Sequence, residues 1–160
     1  MTDTPIVMRE QHFARLQVIL AKLRQDSSAR VVFLVDKNGQ QIALIGDANN
    51  LDTTSLASLT AGNVAATGGM ARLIGEREFP TLSHEGERES IHIAIIGRVL
   101  LVVVFDDRSS LGLVKLRVKQ ASRDVATLFE DVVRESAQQS ATADAFFADI
   151  SDEDIDSLFS

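Results

Sequence analysis

The 160 residues contain no cysteine, which excludes disulfides, thiolate nucleophiles and cysteine-held metals. Tryptophan and tyrosine are missing too, leaving eight phenylalanines as the aromatic complement. Long apolar runs are also absent. The most extended, Val99 to Phe105, falls far short of the roughly 20 residues that a membrane helix needs. Met1 to Pro5 shows no basic region leading into an apolar stretch, so no secretory leader is expected and the chain reads as a cytosolic domain. What remains is ordinary globular composition, 45% apolar and 24% charged, enough for one compact core.

Charge is unevenly spread. Residues 130–160 hold nine acids against the single base Arg134, a balance of −8, while residues 1–129 balance at +1. Nucleic-acid binding rests on Lys and Arg neutralising phosphates, so an acidic end on a near-neutral body disfavours that partner. It suits a solubilising tail or a short docking segment.

Apolar spacing predicts a helix over residues 9–25, with Phe13, Leu16, Leu20 and Leu23 on one face. Val31 to Val35 and Gln40 to Ile45 flank Asn38-Gly39, a hairpin signal because both turn residues tolerate positive φ. A second helix is expected over 53–74, then strands over 81–85, 91–95 and 99–105, with Gly97-Arg98 as a turn. From Leu111 the residues Val114, Val118, Ala121, Val125, Leu128 and Val132 recur at spacings of four and three, the seam of a long third helix. Gln138 to Ala145 reads as a polar linker. Ser151-Asp152-Glu153-Asp154 has the form of a capping box that opens a short acidic helix.

The expected fold is therefore α+β, in the order α-β-β-α-β-β-β-α. Helices would cover one face of a mainly antiparallel five-stranded sheet in a two-layer sandwich. Residues 1–135 form the domain, and residues 136–160 an acidic linker and short helical tail. Exposed strand edges and a bare sheet face would favour a homodimer.

The second helix is the unusual one. Leu56, Leu59, Asn63, Met70, Leu73 and Ile74 form one stripe, which reads as core-facing, while Ser58, Ala61, Gly62, Ala65, Gly68 and Gly69 form another that is nearly all small. Three mid-helix glycines cost about 3 kcal/mol relative to alanine, so something must require a close approach there. Tight helix packing within a dimer and docking of a third protein both meet that requirement.

Catalytic signatures are missing. Gly62 to Gly69 lacks the Lys and Ser/Thr of a phosphate loop, and no Gly-x-Ser-x-Gly elbow occurs. His12, His84 and His92 have no metal-ligand spacing. Asp106-Asp107 is a carboxylate pair at a strand end, read as loop and capping chemistry in preference to catalysis. Asp36 before Asn38-Gly39 is read as turn chemistry. No cofactor, metal or enzymatic activity is expected.

Val31 to Gly39, Asp52 to Ala66, Phe105 to Val114 and Ile150 to Phe159 together resemble the roadblock (dynein light chain) domain family, and within it a bacterial branch that activates a Ras-like GTPase governing cell polarity and motility. The resemblance runs from about residue 8 to the C-terminus. It implies a cytoplasmic homodimer, recruited to a cell pole, with two copies serving one small GTPase and neither nucleic acid nor membrane as partner. The central helices would lie side by side as a platform, with Ala61, Ala65, Gly68, Gly69 and Arg72 as contacts. Catalysis would come from repositioned GTPase switch loops, without an arginine finger from Arg72 or Arg108. Ile150, Ile155, Leu158 and Phe159 of the tail would make a second contact that assists nucleotide exchange. That segment also resembles an Asp-Glu-Ile-Asp peptide of a flagellar switch protein, and a merely solubilising tail stays open. A scaffold dimer that leaves turnover unchanged is the alternative reading of the whole.

Overall fold

The computed structural model describes residues 8–148. The acidic helix expected from Ser151, and Ile150, Ile155, Leu158 and Phe159, lie outside the described residues. The elements run α1 (Glu10–Ser27), β1 (Val31–Asp36), β2 (Gln41–Gly46), α2 (Thr53–Leu73), β3 (Thr81–Glu85), β4 (Glu89–Ile96), β5 (Val99–Asp106) and α3 (Leu111–Ala148). The strands form one sheet in the order β2-β1-β5-β4-β3, with every neighbouring pair antiparallel.

Local chemistry accounts for the joints. The Asp36 carboxylate accepts the N–H groups of Asn38 and Gln40, each at 2.9 Å. Gly39 takes φ +90, a conformation that costs glycine little, and the β1–β2 turn closes. A Cβ at Gly39 would sit 3.1 Å from the Ser58 Cα, so this turn rests directly against α2. The Ser110 hydroxyl accepts the Leu113 N–H at the start of α3, and Ser28 ends α1 in the left-handed region at φ 56.

Alternation along the strands divides the core in two. Val32, Leu34, Leu101 and Val103 face Leu16, Leu20 and Leu23 of α1 and Val114, Val118, Val125 and Leu128 of α3. Val31, Phe33, Val35, Leu100, Val102 and Val104 face the other way, toward Ala57 and Val64 of α2. The two-layer expectation is therefore corrected: α1 and α3 cover one face and α2 the other. Central strands wanted on both faces explain why β1 and β5 are continuously apolar rather than alternating.

A second correction concerns α3. Its seam from Val114 to Val132 is buried as expected, but the helix continues through the 138–145 stretch that reads as a linker. Alanine and glutamine are good helix formers, and neither proline nor glycine interrupts the segment. Polarity alone does not end a helix.

The third correction matters most for function. Leu59, Met70, Leu73 and Ile74, assigned to the core side of α2, are exposed. Ala57, Thr60, Val64 and Ala71 are the buried residues instead. Alanine, threonine and valine face the sheet, and the bulky residues turn outward.

Candidate docking surface

Helix α2 is fixed at several points. Asp52 caps its N-terminus, accepting the Ser55 N–H at 3.0 Å and the Ser55 hydroxyl at 2.6 Å. Those bonds, the hydroxyl first, hold the Asp52 carboxyl below its ordinary range. On the inner side, Ala57, Thr60, Val64 and Ala71 recur at helical spacing against the sheet. The Asn63 amide oxygen lies 3.2 Å from His84 Nε2 on the edge strand β3. The helix is thus held from below, and its outer half is left open.

Two strips run along that half. At about 100° per residue, Ala61, Ala65, Gly68 and Arg72 recur at spacings of four, three and four on one flank, with Gly62 and Gly69 beside them. On the adjoining flank, Leu59 is 70%, Met70 59% and Leu73 88% exposed, with Ile74 farther round. Ala65 and Arg72 are exposed, whereas Ala61, Gly68 and Gly69 are partly covered. The five platform residues therefore share one flank, and the greasy flank is what the sequence pattern misplaces. Its signal was available: α2 is apolar on nearly every side, too much for one buried face.

The glycines have no reason within the subunit. Cβ atoms placed at Gly62 or Gly69 meet nothing within 4 Å, and one at Gly68 meets only Arg72 Nη1 at 3.8 Å. All three φ values are outside the left-handed region. Neither packing nor backbone conformation requires glycine, yet each costs about 1 kcal/mol in a helix. Nothing in the described subunit requires them.

The remaining candidates fall elsewhere. Arg108 is exposed and donates to both Asp106 carboxylate oxygens, at 2.9 to 3.1 Å, which lowers the Asp106 carboxyl. That pairing leaves Asp106-Asp107 as loop chemistry. Asp36 is likewise engaged in its turn. His12 is buried, with Nε2 2.8 Å from Glu135 Oε2, joining α1 to α3. His92 is buried with Nδ1 2.6 Å from the Ser83 hydroxyl. Among the described residues no group of three His, Asp or Glu could hold a metal ion, and no helix is long and apolar enough to cross a membrane.

The family model described as Roadblock/LC7 domain matches residues 15–105. Myxococcus xanthus MglB is 56% identical over 79% of this chain and 96% of its own, with a TM-score of 0.74. The gliding protein MglB of Thermus thermophilus is 33% identical over 81% and 99%, with a TM-score of 0.76. A Roadblock/LC7 domain from Streptomyces avermitilis shares the fold at 13% identity, with a TM-score of 0.61 over 68% and 92%. A search of curated proteins found no match.

Proposed function

This chain belongs to the Roadblock/LC7 family, and from that premise we propose that it is a homodimeric, non-enzymatic activator of GTP hydrolysis by an MglA-type Ras-like small GTPase that sets cell polarity and motility. The observation that carries the reading is the unpartnered outer half of α2, where a greasy strip adjoins a small one. Large apolar patches on a subunit mark interaction sites. The 56% identity to an MglB supports the choice of partner class.

The two strips divide the work. Leu59, Met70 and Leu73 supply apolar area for the second subunit, bringing two α2 helices side by side. Ala61, Ala65, Gly68 and Gly69 then lie where a GTPase backbone can approach closely, with Arg72 at the end of that strip. No arginine finger is needed, and Arg108 is already committed to Asp106. Activation acts by holding the GTPase switch loops in their hydrolytic arrangement, a population shift driven by differential binding. The tail residues Ile150, Ile155, Leu158 and Phe159 add a second contact that aids nucleotide exchange, their flanking acids steering toward basic residues on the partner.

The test is the mass of the complex formed with the GTP-loaded GTPase. Two copies of this chain per GTPase are expected; a one-to-one complex removes the shared platform.

A further inference from the structure

A groove of about 540 Å³ opens between the tip of the β4–β5 hairpin and α3. Ile96 and Val99 form one wall, and Phe129 and Val133 the other. Val133 is 53% exposed, while Phe129 is partly buried and packs down onto the core. Arg98, Arg134 and Glu130 stand at the rim, with Arg134 paired to Asp131 at 2.7 Å. The groove lies on the α1/α3 side of the sheet, whereas α2 lies on the other. No contact assigned to the platform uses it.

We infer that this groove is the resting site of the chain's own C-terminal segment, with Leu158 and Phe159 seated between the β4–β5 tip and α3. The reach is sufficient. α3 runs on to Ala148, about 22 Å beyond Val133 at 1.5 Å per residue. Residues 149–158 span about 33 Å when extended, more than the return requires. The chemistry matches on both counts. Ile155, Leu158 and Phe159 supply an apolar edge, and Asp149, Asp152, Glu153, Asp154 and Asp156 carry five negative charges with no base among them. Apolar side chains fill the groove while the acids stay at its polar, solvated rim. A tail parked there is withheld from any other protein until a competitor displaces it. This inference stands apart from the GTPase reading, because groove and occupant belong to one chain.

The absence of cysteine makes the test clean. Val133→Cys with Leu158→Cys, in the full chain alone, forms a link within one chain under oxidised glutathione. That link forms about tenfold faster than in the control pair Gln139→Cys with Leu158→Cys, because docking raises the effective concentration of the two thiols at Val133 alone. Gln139 is also exposed and lies nearer the root of the tail, but sits about 120° round α3 from Val133, so an undocked tail would reach it at least as readily. Adding Phe159→Asp to the first pair brings its rate down to the control's. Equal rates in the two pairs, a rate untouched by Phe159→Asp, or a link joining two chains would each overturn the proposal.

Discussion

Replacing Gly69 by arginine separates the demands of the subunit from those of its partner. A Cβ at Gly69 meets no atom within 4 Å, so an added side chain leaves the subunit's packing intact. Arginine is a good helix former, and the exchange removes a glycine penalty of about 1 kcal/mol. For a chain of this size that raises the melting temperature by about 2–4 °C. At the platform the effect is opposite. A long charged side chain stands where a neighbouring backbone must come close, and binding of the GTP-loaded GTPase falls by about 100-fold, or about 2.7 kcal/mol. Thermal unfolding, light scattering of the free protein and titration with the GTPase read the three consequences separately. Gly69→Ala is the companion variant, with the same gain in stability and far weaker interference. A folded, dimeric Gly69→Arg protein that binds normally refutes the assignment of the small strip to the GTPase. One that has become monomeric assigns that strip to the dimer instead.

Other outcomes follow from the same structure. Met70→Asp with Leu73→Asp places two charges on side chains that the proposed dimer covers, and the mass by light scattering should fall to that of a monomer; an unchanged dimer contradicts the division of the strips. Phe33 is fully buried between the sheet and α2, so Phe33→Ala should cost about 3–5 kcal/mol in urea unfolding, and a loss below about 1 kcal/mol contradicts its place in that core. Burial, and then the Lys115 ammonium, hold the His92 imidazole below its ordinary 6.5. As pH falls below that value the unfolded chain takes up a proton that the native chain resists, so this contribution to stability is complete above it and lost beneath it. His92→Gln should therefore narrow the difference in urea midpoint between about pH 7.5 and about pH 5.5; an unchanged difference places the pH dependence elsewhere.

Much of the fold was legible because each signal had one cause. Asn38-Gly39 demanded a turn, the Val114 to Val132 seam demanded a buried helix face, and Val99 to Phe105 demanded a strand. Its unbroken apolar character reflects cover on both faces, a signal that the two-layer expectation passed over. The α2 faces were harder. Side-chain size suggested Leu59, Met70 and Leu73 for the core, but Ala57, Thr60 and Val64 are the residues that α2 buries. The bare small strip of α2 was legible as a cluster of glycines, and the apolar flank beside it was not, because outward leucines resemble inward ones until the sheet is in place. The His12–Glu135 contact joins residues at opposite ends of the chain, and no local spacing announces it.

Single-turnover hydrolysis by an MglA-type GTPase, measured with and without saturating amounts of this protein, tests the central claim most directly. The platform account predicts faster loss of bound GTP, with the acceleration abolished by Gly69→Arg. Unchanged hydrolysis in a complex that demonstrably forms would contradict it and leave a scaffold that binds without activating.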